Sequence, residues 1–163
     1  MRTQWKAKPN KSLYQNATPL LSFLYDQFMS HMDTVIQHPR LIDELHRMRI
    51  DGKPLRYMME LVEPIFLQRF KKCFEEVKYL LELLGKIHDS DVTIPILQSH
   101  LREMRLYNRS LPNGEKSIST KGIRALIRQQ RDQRGAMFEK MCDILQTWQK
   151  ENFKEKLLLA MKR

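Results

Sequence analysis

The sequence predicts an all-α protein, an antiparallel helical bundle of about five to six helices, on three observations. Apolar residues recur every three or four positions through most of the chain. There are only 5 Gly among 163 residues, and Leu, Met, Lys, Arg, Glu and Gln recur throughout, a mix that favours helix. No stretch alternates apolar and polar residues as a half-buried strand does, and no short repeat of solenoid period is present. The length suits one domain with one core. With 42% hydrophobic and 29% charged residues, the composition is globular rather than disordered.

Residues 1–16 are polar and basic (Arg2, Lys6, Lys8, Lys11) and are expected to form an N-terminal arm ahead of a single domain over 17–163. From Ala17 to about Gln37, Leu20, Leu21, Leu24, Phe28, Met32, Val35 and Ile36 keep helical period. Pro19 suits the first turn and Thr18 an N-cap, and His38-Pro39 stops the helix. A second helix spans about Arg40 to Val62. Within it Pro54 removes the bond its nitrogen would give to the Ile50 carbonyl and Gly52 weakens the same turn, so a kink is expected. The third helix follows Glu63-Pro64 and ends at Gly85, read as a C-terminal stop. Residues 86–91 then connect to a fourth helix ending near Tyr107. Asn108–Ser119, with Pro112-Asn113-Gly114, reads as a projecting loop. A long fifth helix runs from about Thr120 to Gln149, and a last amphipathic piece spans Asn152 to Met161.

Lys and Arg number 29 against 19 Asp and Glu, a net charge of +10 that calls for a polyanionic partner: nucleic acid, polyphosphate or an anionic membrane surface. No run is apolar enough for a membrane span, and Asp26 interrupts the only candidate signal peptide. Cys73 and Cys142 lie in helical patterns without metal spacing and read as reduced thiols, hence a cytoplasmic expectation. The cations are concentrated in two rows. His46, Arg49, Lys53 and Arg56 are spaced i, i+3, i+7, i+10, which lines one side of about 15 Å of helix. Leu41, Leu45, Met48, Leu55, Met59 and Val62 lie roughly 100° round, so this row borders the buried face. Burying an unpaired charge costs at least several kcal/mol, so the row needs protein carboxylates or a bound anion. Lys121, Arg124, Arg128 and Arg131 repeat the spacing on the fifth helix. Between residues 101 and 134 nine basic residues face three acidic ones. Like charges at i, i+4 are mildly destabilising without a counter-anion. A single basic face is usually just solvated. Two on one small bundle point to a binding surface.

The run His46-Arg47-Met48-Arg49-Ile50-Asp51-Gly52-Lys53-Pro54-Leu55-Arg56-Tyr57-Met58-Met59-Glu60 closely resembles the signature helix of the CHAD family, the conserved histidine α-helical domain. Leu81-Glu82-Leu83-Leu84-Gly85-Lys86-Ile87-His88-Asp89-Ser90-Asp91 resembles that family's second motif, and the tail with Trp148, Phe153 and Leu157 looks like its closing helix. The matched segments cover most of 40–162. The resemblance implies a helical bundle that binds inorganic polyphosphate in basic grooves, with His46, Arg49, Lys53 and Arg56 at the family's basic positions. Tyr57, Glu60, His88, Asp89 and Asp91 would be structural motif residues. It also implies no cofactor, and a cytoplasmic protein able to associate with polyphosphate granules. Lys121, Arg124, Arg128 and Arg131 are added from spacing alone. Pro54 departs from the motif, where a basic residue is common. The chain resembles one half of the usual two-half domain, nearest the C-terminal half, which leaves two alternatives: a homodimer that rebuilds the full groove, or a fragment of a two-half domain.

Two other classes compete. A His88-Asp89 pair is the kind of element that binds a metal in phosphohydrolases, with His31, His38, His46 and Asp143 as further ligand candidates. The simpler expectation is that Asp89 caps the fourth helix and Asp91 sits in its first turn, or that both neutralise the motif arginines across the bundle. Nucleic-acid binding is the less favoured reading, because Phe66, Phe70 and Phe74 read as core rather than stacking platforms. No glycine-rich phosphate loop and no nucleophile constellation is present, so a binding module is expected and not an enzyme. Glu60, four residues from Arg56, is expected to orient its guanidinium.

Overall fold

Capping chemistry starts the first helix earlier than the apolar period does. In the computed structural model, which describes residue 6 and residues 8–162, Ser12 Oγ accepts from the Gln15 N–H at 3.3 Å. The Gln15 side chain returns the bond to the Ser12 N–H at 3.0 Å. This capping box fixes helix α1 at Leu13–Met29, four residues before the expected start, and leaves Pro19 in its interior. Asn16 then ties the lead-in down, accepting from the Lys8 N–H and donating to the Lys8 and Lys11 carbonyls. The last residues of the expected arm thus belong to the folded body. Arg2 lies outside the described residues.

The expected single helix to Gln37 breaks at Ser30-His31, and a short α2 follows at Met32–Gln37. The break seats His31 against α3 (Ile42–Val62). Its Nδ1 lies 2.6 Å from Glu44 and its Nε2 2.9 Å from Asp51. Both bonds run through an imidazole with little exposure, so the corner between α1 and α3 is fixed by polar contacts as well as packing. The bond from His31 holds the Glu44 carboxyl below the usual carboxylate range.

Helix α3 is continuous through Gly52 and Pro54. Pro54 is exposed. Gly52 is buried where α1, α3 and α4 meet: a Cβ there would collide with Leu81 and stand 2.9 Å from Phe28. The glycine that looked like a weak point in a helix is the residue that lets three helices close up.

A 3-10 turn at Glu63–Ile65 leads into α4, Gln68–Ser110. The expected third and fourth helices and the link between them are one helix of 43 residues, about 65 Å long. Gly85 is therefore not a stop, and Asp89 and Asp91 sit in the interior of a helix and cap nothing. Opposite α4, α3 has 21 residues, about 32 Å. The two run antiparallel: Gly52 meets Leu81, Arg49 meets Gly85, and His46 meets His88. In that register α3 starts level with about residue 92 of α4. The rest of α4 runs on without α3 and pairs with α5, Lys121–Lys150, again antiparallel. Among the described residues, none between Ile87 and Met137 joins the main core. The distal part of α4 and the first part of α5 thus form a projecting arm. The strip of α4 that α3 covers continues along it as Val92, Ile96 and Leu106, all exposed. Its tip, the expected loop, is pinned by Asn108, which bonds both the N–H and the carbonyl of Ile118. Gly114, at φ 100, makes the turn.

Helix α6, Phe153–Ala160, closes the base. Phe153 stacks on Trp148 at 4.0 Å and on Tyr25 at 6.0 Å, and the Tyr14 hydroxyl donates to the Met161 carbonyl at 2.9 Å. Burial, with Asp26 beside it, pushes the Tyr25 phenol up to about 12. The six α-helices of the described residues make the expected all-α bundle, no strand occurs among them, and no helix is long and apolar enough to cross a membrane. Cys73 and Cys142 are free thiols whose pKa values burial raises.

Two stability predictions follow from this packing. Gly52→Ala should cost about 1–3 kcal/mol in a denaturant titration. Gly122→Ala and Gly135→Ala, where a Cβ meets nothing, should be neutral or gain up to about 1 kcal/mol. A carboxyl with a lowered folded-state pKa contributes stability above its unfolded pKa and loses it as pH falls through the folded one. Stability should therefore drop below about pH 4.3, and His31→Ala should flatten that part of the pH profile.

Candidate functional site

Helix α3 presents different chemistry on each side. Leu45, Met48, Gly52, Leu55, Met59 and Val62 face the core. The cationic row borders them, with His46 exposed and Arg49, Lys53 and Arg56 half-buried. It lies along the groove between α3 and α4. The His46 and His88 rings face one another across it, 4.8 Å between centroids. Arg49 Nε lies 3.8 Å from where a Cβ on Gly85 would stand, an ordinary contact distance that places the guanidinium against α4 at this residue. Arg56 Nε is a buried nitrogen with no hydrogen-bond partner, the only such side-chain atom found among the described residues. The Arg56 guanidinium lies 5.9 Å from the centre of the Tyr57 ring, which is itself exposed.

No carboxylate among the described residues pairs with His46, Arg49, Lys53 or Arg56. The acids of α3 are placed elsewhere. Asp51 lies between Arg49 and Lys53 in sequence, but its carboxylate turns to His31. Glu44 serves His31 and Arg47. Glu60 is exposed and no bond joins it to Arg56, so the expected orienting contact is not formed.

On α5 the arginines divide. Arg134 donates to Asp91 of α4 at 2.7 Å, and Asp91 retains only 6% of its side-chain surface. Its Nη2 also donates to the Pro39 carbonyl at 3.0 Å. This pair is structural: Asp91 neutralises an arginine of α5, not one of the motif arginines on α3 that the sequence suggested for it. Arg124, Arg128 and Arg131 line one cleft of about 280 Å³ between α4 and α5, facing Gln98 and Leu101, with Asp132 at its edge. None of the three has a carboxylate partner among the described residues; Arg124 donates to the Thr120 hydroxyl at 2.8 Å. Lys121 is exposed and does not line the cleft.

The metal reading fares differently. Among the described residues no group of three or more His, Cys, Asp or Glu stands close enough to hold a metal ion. His31 is occupied by two carboxylates and His88 faces His46, while Asp89 is exposed on α4. Sequence reasoning missed the role of His31. The signal for it was present: Glu44 and Asp51, seven residues apart, share the side of α3 that a histidine at the α1–α2 corner reaches.

The sequence matches the model of the CHAD domain over residues 2–98, more than half of the chain. The protein belongs to the CHAD domain family. Comparison with curated proteins and with solved structures finds no match. The CHAD segment takes in α1, α2, α3 and α4 as far as Gln98, so it holds the whole α3 row, Gly85, His88 and Asp91. It starts well before the expected coverage and stops short of it. The distal arm, α5 and α6 lie beyond it, including Trp148, Phe153 and Leu157, whose likeness to a closing CHAD helix the match does not extend to.

Removing one partner of the Asp91–Arg134 pair separates structural from free arginines. Arg134→Ala strands a buried carboxylate and should cost about 3–5 kcal/mol. Arg128→Ala, exposed and unpaired, should stay within about 0.5 kcal/mol of the parent in the same denaturant titration.

Proposed function

We propose that this CHAD domain binds inorganic polyphosphate along the α3–α4 groove, as a binding module without catalysis of its own. The observation that supports this most is the α3 row. Three cations and a histidine lie beside a core, no protein carboxylate of the described residues pairs with them, and the Arg56 Nε is buried without a partner. A linear phosphate polymer supplies the missing counter-charge at regular intervals. Arg49 and Arg56 offer forked donors to phosphate oxygens, and Lys53 a compact charge. Arg49 lies against Gly85 of α4, and His46 with His88 forms the far end of the groove.

Nucleic acid is the weaker reading of the same charge. Phe70 and Phe74 are buried, and Phe66 is packed against Tyr14 and Phe70, so none is free to stack on a base.

Arg49→Ala combined with Arg56→Ala should weaken binding of long-chain polyphosphate at least about tenfold, since each hydrogen bond to a charged group contributes roughly 1.5–3 kcal/mol. Helical content should stay unchanged by circular dichroism. Affinity should fall with added salt as counterions are released, and equal charge of duplex DNA should fail to displace the polymer. Unchanged affinity in the double variant would remove the groove from consideration.

A further inference from the structure

Helix α4 serves as a ruler between the two cationic rows. The α3 row lies beside Gly85 and His88, and the cleft with Arg124, Arg128 and Arg131 lies beside Gln98 and Leu101. Thirteen positions of helix separate these neighbours, about 20 Å along the axis. Over the same interval the helix turns so that the rows look out from different sides of α4. The cleft lies on the projecting arm, past the last core residue of α4 and, on α5, beyond the CHAD match. Its three arginines sit at i, i+4 and i+7, a like-charged arrangement that costs stability unless an anion answers it. Asp132 at the edge offsets part of that charge but pairs with none of them. On the same helix Arg134 does have its acid, Asp91, so an arginine of α5 within reach of a carboxylate is paired while these three are not.

We infer that the arm cleft is a second phosphate subsite, so that one long polyphosphate chain spans both rows while a short oligophosphate fills one row at a time. The inference rests on polyphosphate being the ligand of the α3 row. Once a long chain is held at one row, its own length tethers it near the other, and the second contact becomes intramolecular. Such linkage raises affinity by about 10²–10⁴ without any new kind of contact. It also gives selectivity. A flexible chain follows rows that face different sides of α4, whereas duplex DNA, with a persistence length of about 50 nm, does not bend that sharply.

The test is calorimetric titration with tripolyphosphate and with long-chain polyphosphate of the parent protein and of Arg124→Ala/Arg128→Ala/Arg131→Ala. These side chains are exposed, so the variant should keep its thermal midpoint. The parent should bind two tripolyphosphates and the variant one. Long-chain affinity should fall at least about tenfold in the variant. An unchanged stoichiometry together with unchanged long-chain affinity overturns the second subsite. Failure of the parent to bind either ligand overturns the polyphosphate reading itself, a different result.

Discussion

The acids and the cations of α3 border its buried face from opposite flanks. Asp51 is two residues from both Arg49 and Lys53, a spacing that sets it on the far side of the helix from them. In the folded protein it is buried and bound to His31, which also takes Glu44. The polar contact that fixes the α1–α2 corner is therefore made on the side away from the row. Fold and site share one helix: bonds to His31 stabilise the body on one flank, and on the other His46, Arg49, Lys53 and Arg56 have no carboxylate partner among the described residues. Glu60, which does fall on the side of the row, stays in solvent and makes no bond to Arg56.

The second constraint is close packing at Gly52, which lets Phe28 and Leu81 meet over α3. It lies on a helix that does not break there. With α3 about half as long as α4, the core must end where α3 ends, and what remains of α4 can be covered only by α5. The arm is thus a product of unequal helix lengths, and it carries the charge that the core has no use for.

Much of this was legible in the sequence. The helical period of Leu45, Met48, Leu55 and Met59 located the buried side of α3, and the i, i+3, i+7, i+10 spacing located the row beside it. The antiparallel bundle followed from the same periods, and the limits of α5 were read to within a residue. The boundaries that failed did so for local reasons. Thr18 and Pro19 looked like a helix start, but the reciprocal bonds of Ser12 and Gln15 are stronger than a lone cap. Gly85 looked like a stop because glycine so often ends helices. Here α4 runs straight through it, with Leu81, Leu84 and Ile87 buried on either side of it. Asp91 looked like a residue of a first helical turn, and its real partner lies 43 residues away on another helix. Contacts of that sequence separation leave no mark on a single sequence.

The most direct test is nuclear magnetic resonance of the arginine side-chain Nε–H groups during titration with long-chain polyphosphate. The Nε–H signals of Arg49 and Arg56 should shift and saturate, while that of Arg134, already held by Asp91, should remain in place. Saturable binding that leaves the Arg49 and Arg56 signals unmoved would show that the chain is held elsewhere, and the groove would lose its function.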